Sequence, residues 1–240
     1  MTGGGSAARA SVAATAPVRP GVKSGRLGTA TVGMLGGTFD PIHVGHLALA
    51  RSAQEQLGLD LVLVVPAGRP PHKRDQRIAP AADRLAMVEL AVAGEPGLDV
   101  SRIEIDRPGP SFTIDTAEAL LSEGAAAGRP IELTIILSAE SFADLPTWHE
   151  PDRLLRLARI AVAPRPGHPA PTPDRLDPRL SAYADRIDVL DGPHLDVSAT
   201  DIRGRVAAGQ SIAGLVPPPV AAYIEAHHLY HAPSHRKDPT

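Results

Sequence analysis

The fold is decided by residues 31–47, which read TVGMLGGTFDPIHVGHL. The stretch begins with a short apolar run that predicts a buried strand, and the run breaks at Gly36 and Gly37. Two adjacent glycines allow a large ligand to approach the backbone closely, because neither carries a Cβ atom. The stretch therefore predicts a strand that ends at the two glycines, either in a ligand-binding turn or in an ordinary tight turn.

A helix is predicted to follow the glycines over residues 41–57. Asp40 suits the N-cap position, and Pro41 suits the first helical position. His43 and His46 then share one face of the first turns, beside the unpaired N–H groups of the helix N-terminus. Two imidazoles at such an anion site suit an enzyme that handles phosphate. A histidine pair could also bind a metal ion, but a zinc site needs three or four protein ligands, so no metal site is predicted.

The composition limits the classes of function. The 240 residues can bury a substantial core, and a formal net charge of −3 does not favour nucleic acid as the main partner. The chain has no cysteine for disulfides, and no apolar run reaches the ~18–20 residues that a membrane span requires. We therefore expect a cytoplasmic globular protein with neither nucleic-acid nor membrane partners. The sequence does not define the oligomeric state, and a homo-oligomer stays open.

The chain divides into an extension, one domain and a tail. Residues 1–26 consist mainly of Gly, Ala, Ser, Thr and Pro with scattered Arg and Lys, so a disordered extension is expected. Residues 27–231 are expected to form a single domain that ends in a small helical part over about residues 198–231. Residues 232–240 are expected to fray.

Strand and helix patterns alternate along the domain. Continuous apolar runs over residues 61–65, 131–137 and 160–163 predict strands that are buried on both faces, as in a parallel sheet. Weaker strand patterns cover residues 100–105 and 186–190. Helical patterns cover residues 81–93, 113–123, 152–158, 200–208 and 218–228. The alternation predicts an α/β fold with a doubly wound, mostly parallel sheet and a ligand site at the carboxyl ends of its strands.

Two further segments carry groups that suit phosphate binding. Lys73 follows two prolines and a histidine in the loop after the second strand, and the prolines would stiffen its approach. Ser198 and Asp201 have the spacing of a helix cap, which places Arg203 in the first two turns of a helix. Taken alone, an exposed lysine and an ordinary capped helix explain these residues as well.

Residues 36–46, GGTFDPIHVGH, resemble the G-G-(T/S)-F-D-P-x-H-x-G-H signature of the nucleotidyltransferases that carry a His-x-Gly-His motif. Residues 70–73, PPHK, are similar to a motif of one branch of this family. Residues 197–203, VSATDIR, resemble the family motif I-S-(S/A)-T-x-I-R, which binds the triphosphate of ATP.

Three more segments are similar to those of the nicotinate-nucleotide adenylyltransferases within this group. They are SFTIDT at residues 111–116, LPTWH at residues 145–149 and the V-P-x-x-V-x-x-Y-I pattern at residues 216–224. The resemblance implies a Rossmann-like fold and adenylyl transfer from ATP to nicotinate mononucleotide. The products would be nicotinate adenine dinucleotide, which serves NAD biosynthesis, and pyrophosphate.

The resemblance also implies the site residues. The catalytic residues would be His43, His46, Lys73 and Arg203. The ATP-binding residues would be Gly36, Gly37, Thr38, Phe39, His43, His46, Ser198, Thr200 and Arg203. The residues for the nicotinate substrate would be Thr113, Glu140, Leu145, Trp148 and Arg165. Mg²⁺ is expected to arrive with ATP, held largely by phosphates and water.

Two alternatives stay open at this point. The same chemistry could act on nicotinamide mononucleotide or on another phosphate ester. The chain could also be a nucleotide-binding module without turnover, because it has Ser138, Ala139 and Glu140 where the family usually has G-x-D. These three residues are expected to lie close to the ribose.

Overall fold

The computed structural model describes residues 29–70, 78–164, 177–192 and 196–231. In this part of the chain, six strands form one sheet. The strands are β1 (Ala30–Gly37), β2 (Leu61–Pro66), β3 (Leu98–Val100), β4 (Ile131–Ser138), β5 (Arg159–Ala163) and β6 (Ile187–Val189). All neighbouring strands are parallel, and their order is β3-β2-β1-β4-β5-β6. The predicted doubly wound α/β fold is confirmed.

Helices cover both faces of the sheet. They are α1 (Val44–Leu57), α2 (Ala81–Val92), α3 (Ile103–Asp106), α4 (Thr113–Ala126), α5 (Ala139–Asp144), α6 (Pro151–Leu157), α7 (Pro178–Ser181), α8 (Ala199–Ala207) and α9 (Pro218–Ala226). Val62 and Val64 of β2 join an apolar cluster with α1, α2, α8 and α9, whereas Leu63 and Val65 join a second cluster with α4 to α7. Burial on both faces explains the continuous apolar runs of the strands. None of the described helices combines the length and the apolar character needed to cross a lipid bilayer.

The central strands β1 and β4 mark the reversal of the strand order. The chain moves outward from β1 to β2 and β3, and it then returns to β4 on the other side of β1. In open parallel sheets, ligands bind outside the carboxyl ends of the strands at such a reversal. Gly36 and Gly37 end β1 at this edge, and Ser138 ends β4. The topology therefore brings the glycine turn and the start of α5 to the same crevice.

The start of α1 differs from its prediction. The helix begins after His43, which is its N-cap, and not at Pro41 after an Asp40 cap. Asp40 and Pro41 form a turn and are joined by a cis peptide bond. The prediction was wrong because the Asp40 carboxylate has distant partners: Oδ1 accepts hydrogen bonds from the Ala79 N–H at 3.1 Å and from the Tyr230 hydroxyl at 2.8 Å.

The predicted strand over residues 100–105 is also wrong. β3 ends at Val100, and α3 follows it. The alternation of the sequence would place Glu104 in solvent, but this side chain is buried. A helical turn at this point directs the carboxyl group inward, where the Thr116 hydroxyl donates to it at 2.8 Å.

The remaining predicted elements are present. The strand patterns correspond to β2, β4, β5 and β6, and the helical patterns correspond to α2, α4, α6, α8 and α9. The short helices α5 and α7 were not predicted. The extension at residues 1–26 and the tail at residues 232–240 lie outside the described residues. The division of the chain into extension, single domain and tail therefore stays a prediction.

Candidate active site

A cavity of about 790 Å³ opens at the carboxyl ends of β1 and β4. Most of the predicted site residues line it. They are Gly36, Gly37, Thr38, Phe39, His43, His46, Thr113, Glu140, Trp148, Ser198, Thr200 and Arg203. The fold thus brings together residues from the glycine turn, from the N-terminal ends of α1, α4, α5 and α8, and from the turn that carries Trp148.

His43 and His46 form a stacked pair at the start of α1. Their ring centroids are 3.6 Å apart with an interplanar angle of 22°, and the edge of Phe39 contacts His46 at a centroid distance of 4.9 Å. The backbone N–H of His43 donates to Nδ1 of His46 at 3.2 Å. Because Nδ1 accepts this hydrogen bond, the neutral His46 ring carries its proton on Nε2. His46 is therefore a hydrogen-bond donor through Nε2.

The two positions at the end of β1 require glycine for different structural reasons. A Cβ atom on Gly36 would have no atom within 4 Å, so this backbone faces open space in the cavity. A Cβ atom on Gly37 would lie 2.8 Å from the ring of Phe39. Gly36 therefore leaves room for a ligand, whereas Gly37 leaves room for Phe39, which packs in the core.

Helix α8 presents its first turn and Arg203 to the same cavity. Ser198 caps the helix, because its Oγ accepts a hydrogen bond from the Asp201 N–H at 3.0 Å. The Arg203 guanidinium donates to the carbonyl of Asp40 at 2.7 Å and to the hydroxyl of Thr200 at 3.2 Å. These contacts place a cation and a helix N-terminus beside the glycine turn, which is a suitable arrangement for a phosphate chain.

A buried arginine under the glycine turn was missed by sequence reasoning. Arg84 of α2 is 1% exposed and donates to the carbonyls of Thr38 at 2.7 Å, Ala79 at 3.1 Å and Gly68 at 3.2 Å. Burial lowers the pKa of Arg84, and the nearby Asp40 opposes this shift. A sequence signal was available, because Arg84 occupies the apolar face of α2 at the spacing of the buried Met87 and its neighbours.

A second buried polar cluster lies next to Arg84, to which Gly68 joins it, and was also missed. Glu104 is 6% exposed and lines the cavity, and burial raises the pKa of its carboxyl group. Ser111, beside it, accepts hydrogen bonds from the backbone N–H groups of Gly68 at 3.0 Å and Arg69 at 3.2 Å. Gly68 must be glycine, because a Cβ atom there would overlap the carbonyl oxygen of Glu104. The cluster joins the end of β2 to α3 and to the start of α4.

Trp148 and Leu145 differ in their positions. Trp148 lines the cavity at the end of a 3₁₀ turn formed by Leu145–Thr147. Leu145 is fully buried in the core and is not among the residues that line the cavity. Its carbonyl accepts the Trp148 N–H at 3.1 Å. The structure thus gives Leu145 a supporting position under Trp148, and a direct contact with substrate is not supported.

Two predicted site residues, Lys73 and Arg165, lie outside the described residues. Pro70, at the end of the described part of that loop, lines the cavity. Within residues 29–70, 78–164, 177–192 and 196–231, no three His, Asp or Glu side chains are grouped so that they could hold a metal ion.

A doubly wound parallel sheet with a histidine pair and a helix N-terminus at its reversal point is an arrangement that suits nucleotide binding. Residues 34–205 match the model of the cytidylyltransferase-like family. Relatives of this chain carry the name "Probable nicotinate-nucleotide adenylyltransferase". The protein of Roseiflexus sp. strain RS-1 is 48% identical over 204 residues, which cover 85% of this chain and 100% of the relative. The protein of Pseudomonas fluorescens strain Pf-5 is 45% identical over an alignment of 215 residues, which covers 85% of this chain and 98% of that relative. The chain belongs to the cytidylyltransferase-like family and, within it, to the nicotinate-nucleotide adenylyltransferases.

The fold is also that of solved structures. The nicotinic acid mononucleotide adenylyltransferase of Plasmodium falciparum, complexed with NaAD, superposes with a TM-score of 0.68 at 15% identity. The match covers 84% of this chain and 97% of that protein. The predicted Rossmann-like nucleotidyltransferase fold is confirmed by this likeness, which at such identity concerns the fold alone.

Proposed function

We propose that this chain transfers the adenylyl group of ATP to the phosphate of nicotinate mononucleotide, giving nicotinate adenine dinucleotide and pyrophosphate in NAD biosynthesis. A phosphate oxygen of the mononucleotide attacks the α-phosphorus of ATP in line. One P–O bond forms, the bond to the bridging oxygen of the β-phosphate breaks, and pyrophosphate leaves with the electron pair. No proton has to be removed from the nucleophile, so the protein acts mainly by alignment and charge stabilisation.

One observation carries this proposal: hydrogen-bond donors and a cation from distant parts of the chain meet around the glycine turn. His46 of α1, the first turn of α8 and Arg203 all line one cavity at the reversal point of the sheet. Two phosphate groups that react with each other repel, and donors placed on both sides of them offset this repulsion. A helix cap that served only the fold would not require the histidine pair to line the same cavity.

The ATP side of the cavity is assigned as follows. His43 and His46 orient and stabilise the α-phosphate, and they act as donors and not as bases. Ser198 and Thr200, at the start of α8, and Arg203 bind the β- and γ-phosphates. The backbone of Gly36, Gly37, Thr38 and Phe39 contacts the nucleotide. Lys73 is proposed as a further cation for the phosphates on the basis of its motif.

The nicotinate side lies toward Trp148 and Thr113. The nicotinate ring carries a positive charge on its nitrogen, and an indole face gains about 1–2 kcal/mol from stacking and cation–π attraction in a desolvated site. Thr113 begins α4, so its backbone N–H and those of the first turn are available for the substrate carboxylate. Glu140, in the first turn of α5, is proposed to lie near a ribose. Arg165 stays a prediction for the substrate phosphate.

The reaction uses ATP with a divalent cation, and we propose Mg²⁺. Hard cations of this size prefer phosphate oxygens and water, so Mg²⁺ enters as part of the nucleotide substrate. We propose a cytoplasmic location and no nucleic-acid partner, as the sequence predicts. A homo-oligomer stays open, because the sequence does not define the oligomeric state.

The test is pyrophosphate release from MgATP, with nicotinate mononucleotide and nicotinamide mononucleotide offered in parallel. We expect strong release with the acid and weak release with the amide. Equal release with both would show that the ring is held by stacking without recognition of the carboxylate. ATP binding without release on either substrate would contradict the proposal, and it would direct attention to Ser138, Ala139 and Glu140.

A further inference from the structure

We propose that Tyr230 is a positioning residue for adenylyl transfer. Its hydroxyl holds the carboxylate of Asp40 away from Arg203, so that the guanidinium stays available to the triphosphate of ATP. The inference rests on the proposed function for the identity of the nucleotide. It assigns a role to a residue that does not line the cavity.

The contact between Tyr230 and Asp40 joins the two ends of the domain. Tyr230 follows α9 and has a left-handed backbone with φ of 64°. Its ring packs against the core cluster that includes α1 and α8, and its hydroxyl donates to Oδ1 of Asp40 at 2.8 Å. Burial and the neighbouring Asp40 raise the pKa of Tyr230, so the phenol keeps its proton at physiological pH. It is a permanent donor.

Asp40 is held close to Arg203 but does not form a closed ion pair with it. The Asp40 side chain is 2% exposed, and its Oδ1 is occupied by Tyr230 and by the Ala79 N–H. Among the described residues, Oδ2 has no hydrogen-bond partner, and it lies 3.8 Å from Nη1 of Arg203. This distance exceeds the range of a charge-assisted hydrogen bond, which is about 2.7–2.9 Å. Arg203 bonds instead to the backbone carbonyl of Asp40 at 2.7 Å.

The loss of the Tyr230 hydroxyl would free the Asp40 carboxylate to approach Arg203. A charge-assisted hydrogen bond between an arginine and a carboxylate is about 2.7–2.9 Å long, and Oδ2 of Asp40 lies only about 1 Å beyond this range from Nη1 of Arg203. The guanidinium would then be partly neutralised and turned toward the protein. Its attraction for the β- and γ-phosphates would fall, whereas a nucleotide that lacks these phosphates would bind as before. Tyr230 therefore acts through Asp40 on one part of ATP.

The chain offers a matched control in Tyr223. This residue lies on α9, and its hydroxyl donates to the carboxylate of Asp83 on α2 at 2.9 Å. Neither Tyr223 nor Asp83 lines the cavity. Tyr223→Phe therefore also removes a hydrogen bond from a tyrosine hydroxyl to a carboxylate, but this carboxylate belongs to Asp83 of α2. The substitution should have no effect on Arg203.

The experiment measures the affinities of the full chain for MgATP and for AMP by calorimetry. We expect Tyr230→Phe to weaken MgATP binding about tenfold, the size of one charge-assisted hydrogen bond, and to leave AMP binding within about twofold. Tyr223→Phe should leave both affinities within about twofold. In an Asp40→Asn background, Tyr230→Phe should cost less than about threefold, because the neutral side chain does not capture Arg203.

Three results would overturn the inference: unchanged MgATP binding by Tyr230→Phe, an equal loss for ATP and AMP, or an undiminished loss in the Asp40→Asn background. A purely structural role of Tyr230 predicts the second result. Because these readouts are affinities, they do not depend on turnover. If the unmodified chain binds MgATP but releases no pyrophosphate, the proposed function fails and the role of Tyr230 in ATP binding is still decided.

Discussion

Replacement of His46 by alanine should lower kcat by about 10²–10³ and should hardly change the stability of the protein. The kinetic effect is large because the variant loses a donor that acts on charge developing in the transition state, which is worth about 2.7–4 kcal/mol. The structural effect is small because the hydrogen bond that the ring accepts from the His43 N–H at the helix start is a capping contact. Such a capping contact contributes about 1 kcal/mol.

Two isosteric variants separate these contributions. In His46→Asn, the amide oxygen can take the place of Nδ1 and accept the His43 N–H, but the donor at Nε2 is lost. In His46→Gln, the amide nitrogen can take the place of Nε2 and keep a donor near the phosphate. We therefore expect His46→Asn to have the melting temperature of the wild type and the low turnover of His46→Ala. Gln should retain more activity than either.

The assay is pyrophosphate release under saturating MgATP and nicotinate mononucleotide, accompanied by thermal unfolding. A drop of less than threefold in kcat for His46→Ala would refute the assigned role. Wild-type turnover by His46→Asn would refute the conclusion that Nε2 is the working nitrogen, even if alanine is inactive.

Three further predictions concern the rest of the cavity. Gly36→Ala should leave the melting temperature unchanged, because its Cβ meets no atom within 4 Å, but should weaken ATP binding at least about tenfold in calorimetry, because the methyl group fills the ligand's approach. Trp148→Ala should raise the KM for nicotinate mononucleotide by about 5- to 30-fold with little change in the KM for ATP, and Trp148→Phe should recover part of the loss in the same assay. Glu104→Gln tests the effect of the buried carboxyl group on stability. Burial raises the pKa of Glu104 in the folded protein above its value in the unfolded chain. The protonated Glu104 therefore stabilises the fold at acid pH, and this contribution is lost as the pH rises through the folded pKa. The melting temperature of the wild type relative to Glu104→Gln should therefore fall between about pH 4 and neutral pH, and a pH-independent difference would contradict this interpretation.

The sheet could be predicted from the sequence because its strands are buried on both faces. Such strands read as uninterrupted apolar runs, as in residues 61–65, and this pattern depends little on distant residues. The position of the glycine turn follows from the same logic, since a strand that ends in two glycines at the carboxyl edge of a parallel sheet lies where ligands bind. Local patterns were sufficient where local burial decides the structure.

Local patterns failed where distant side chains decide the structure. Asp40 is a good N-cap residue by propensity, but Tyr230 and Ala79 use its carboxylate and the helix begins later. Glu104 sits at an outward position of an apparent strand, but its partner Thr116 lies on another helix. In both cases a buried polar group chose a hydrogen-bond partner that no short window of sequence contains.

The long-range contacts of Asp40 also determine how late in translation the nucleotide site can form. Its bonds to Arg203 and Tyr230 span 163 and 190 residues, whereas the sheet is complete at Val189. At about 5–20 residues per second, a ribosome needs about 10–40 s to proceed from Asp40 to Tyr230. A nascent chain therefore passes through a stage at which all six strands of the described sheet have been synthesised, while the triphosphate end of the cavity still lacks α8, α9 and the tyrosine. Within the described residues, the triphosphate end of the cavity is therefore the last part that translation completes.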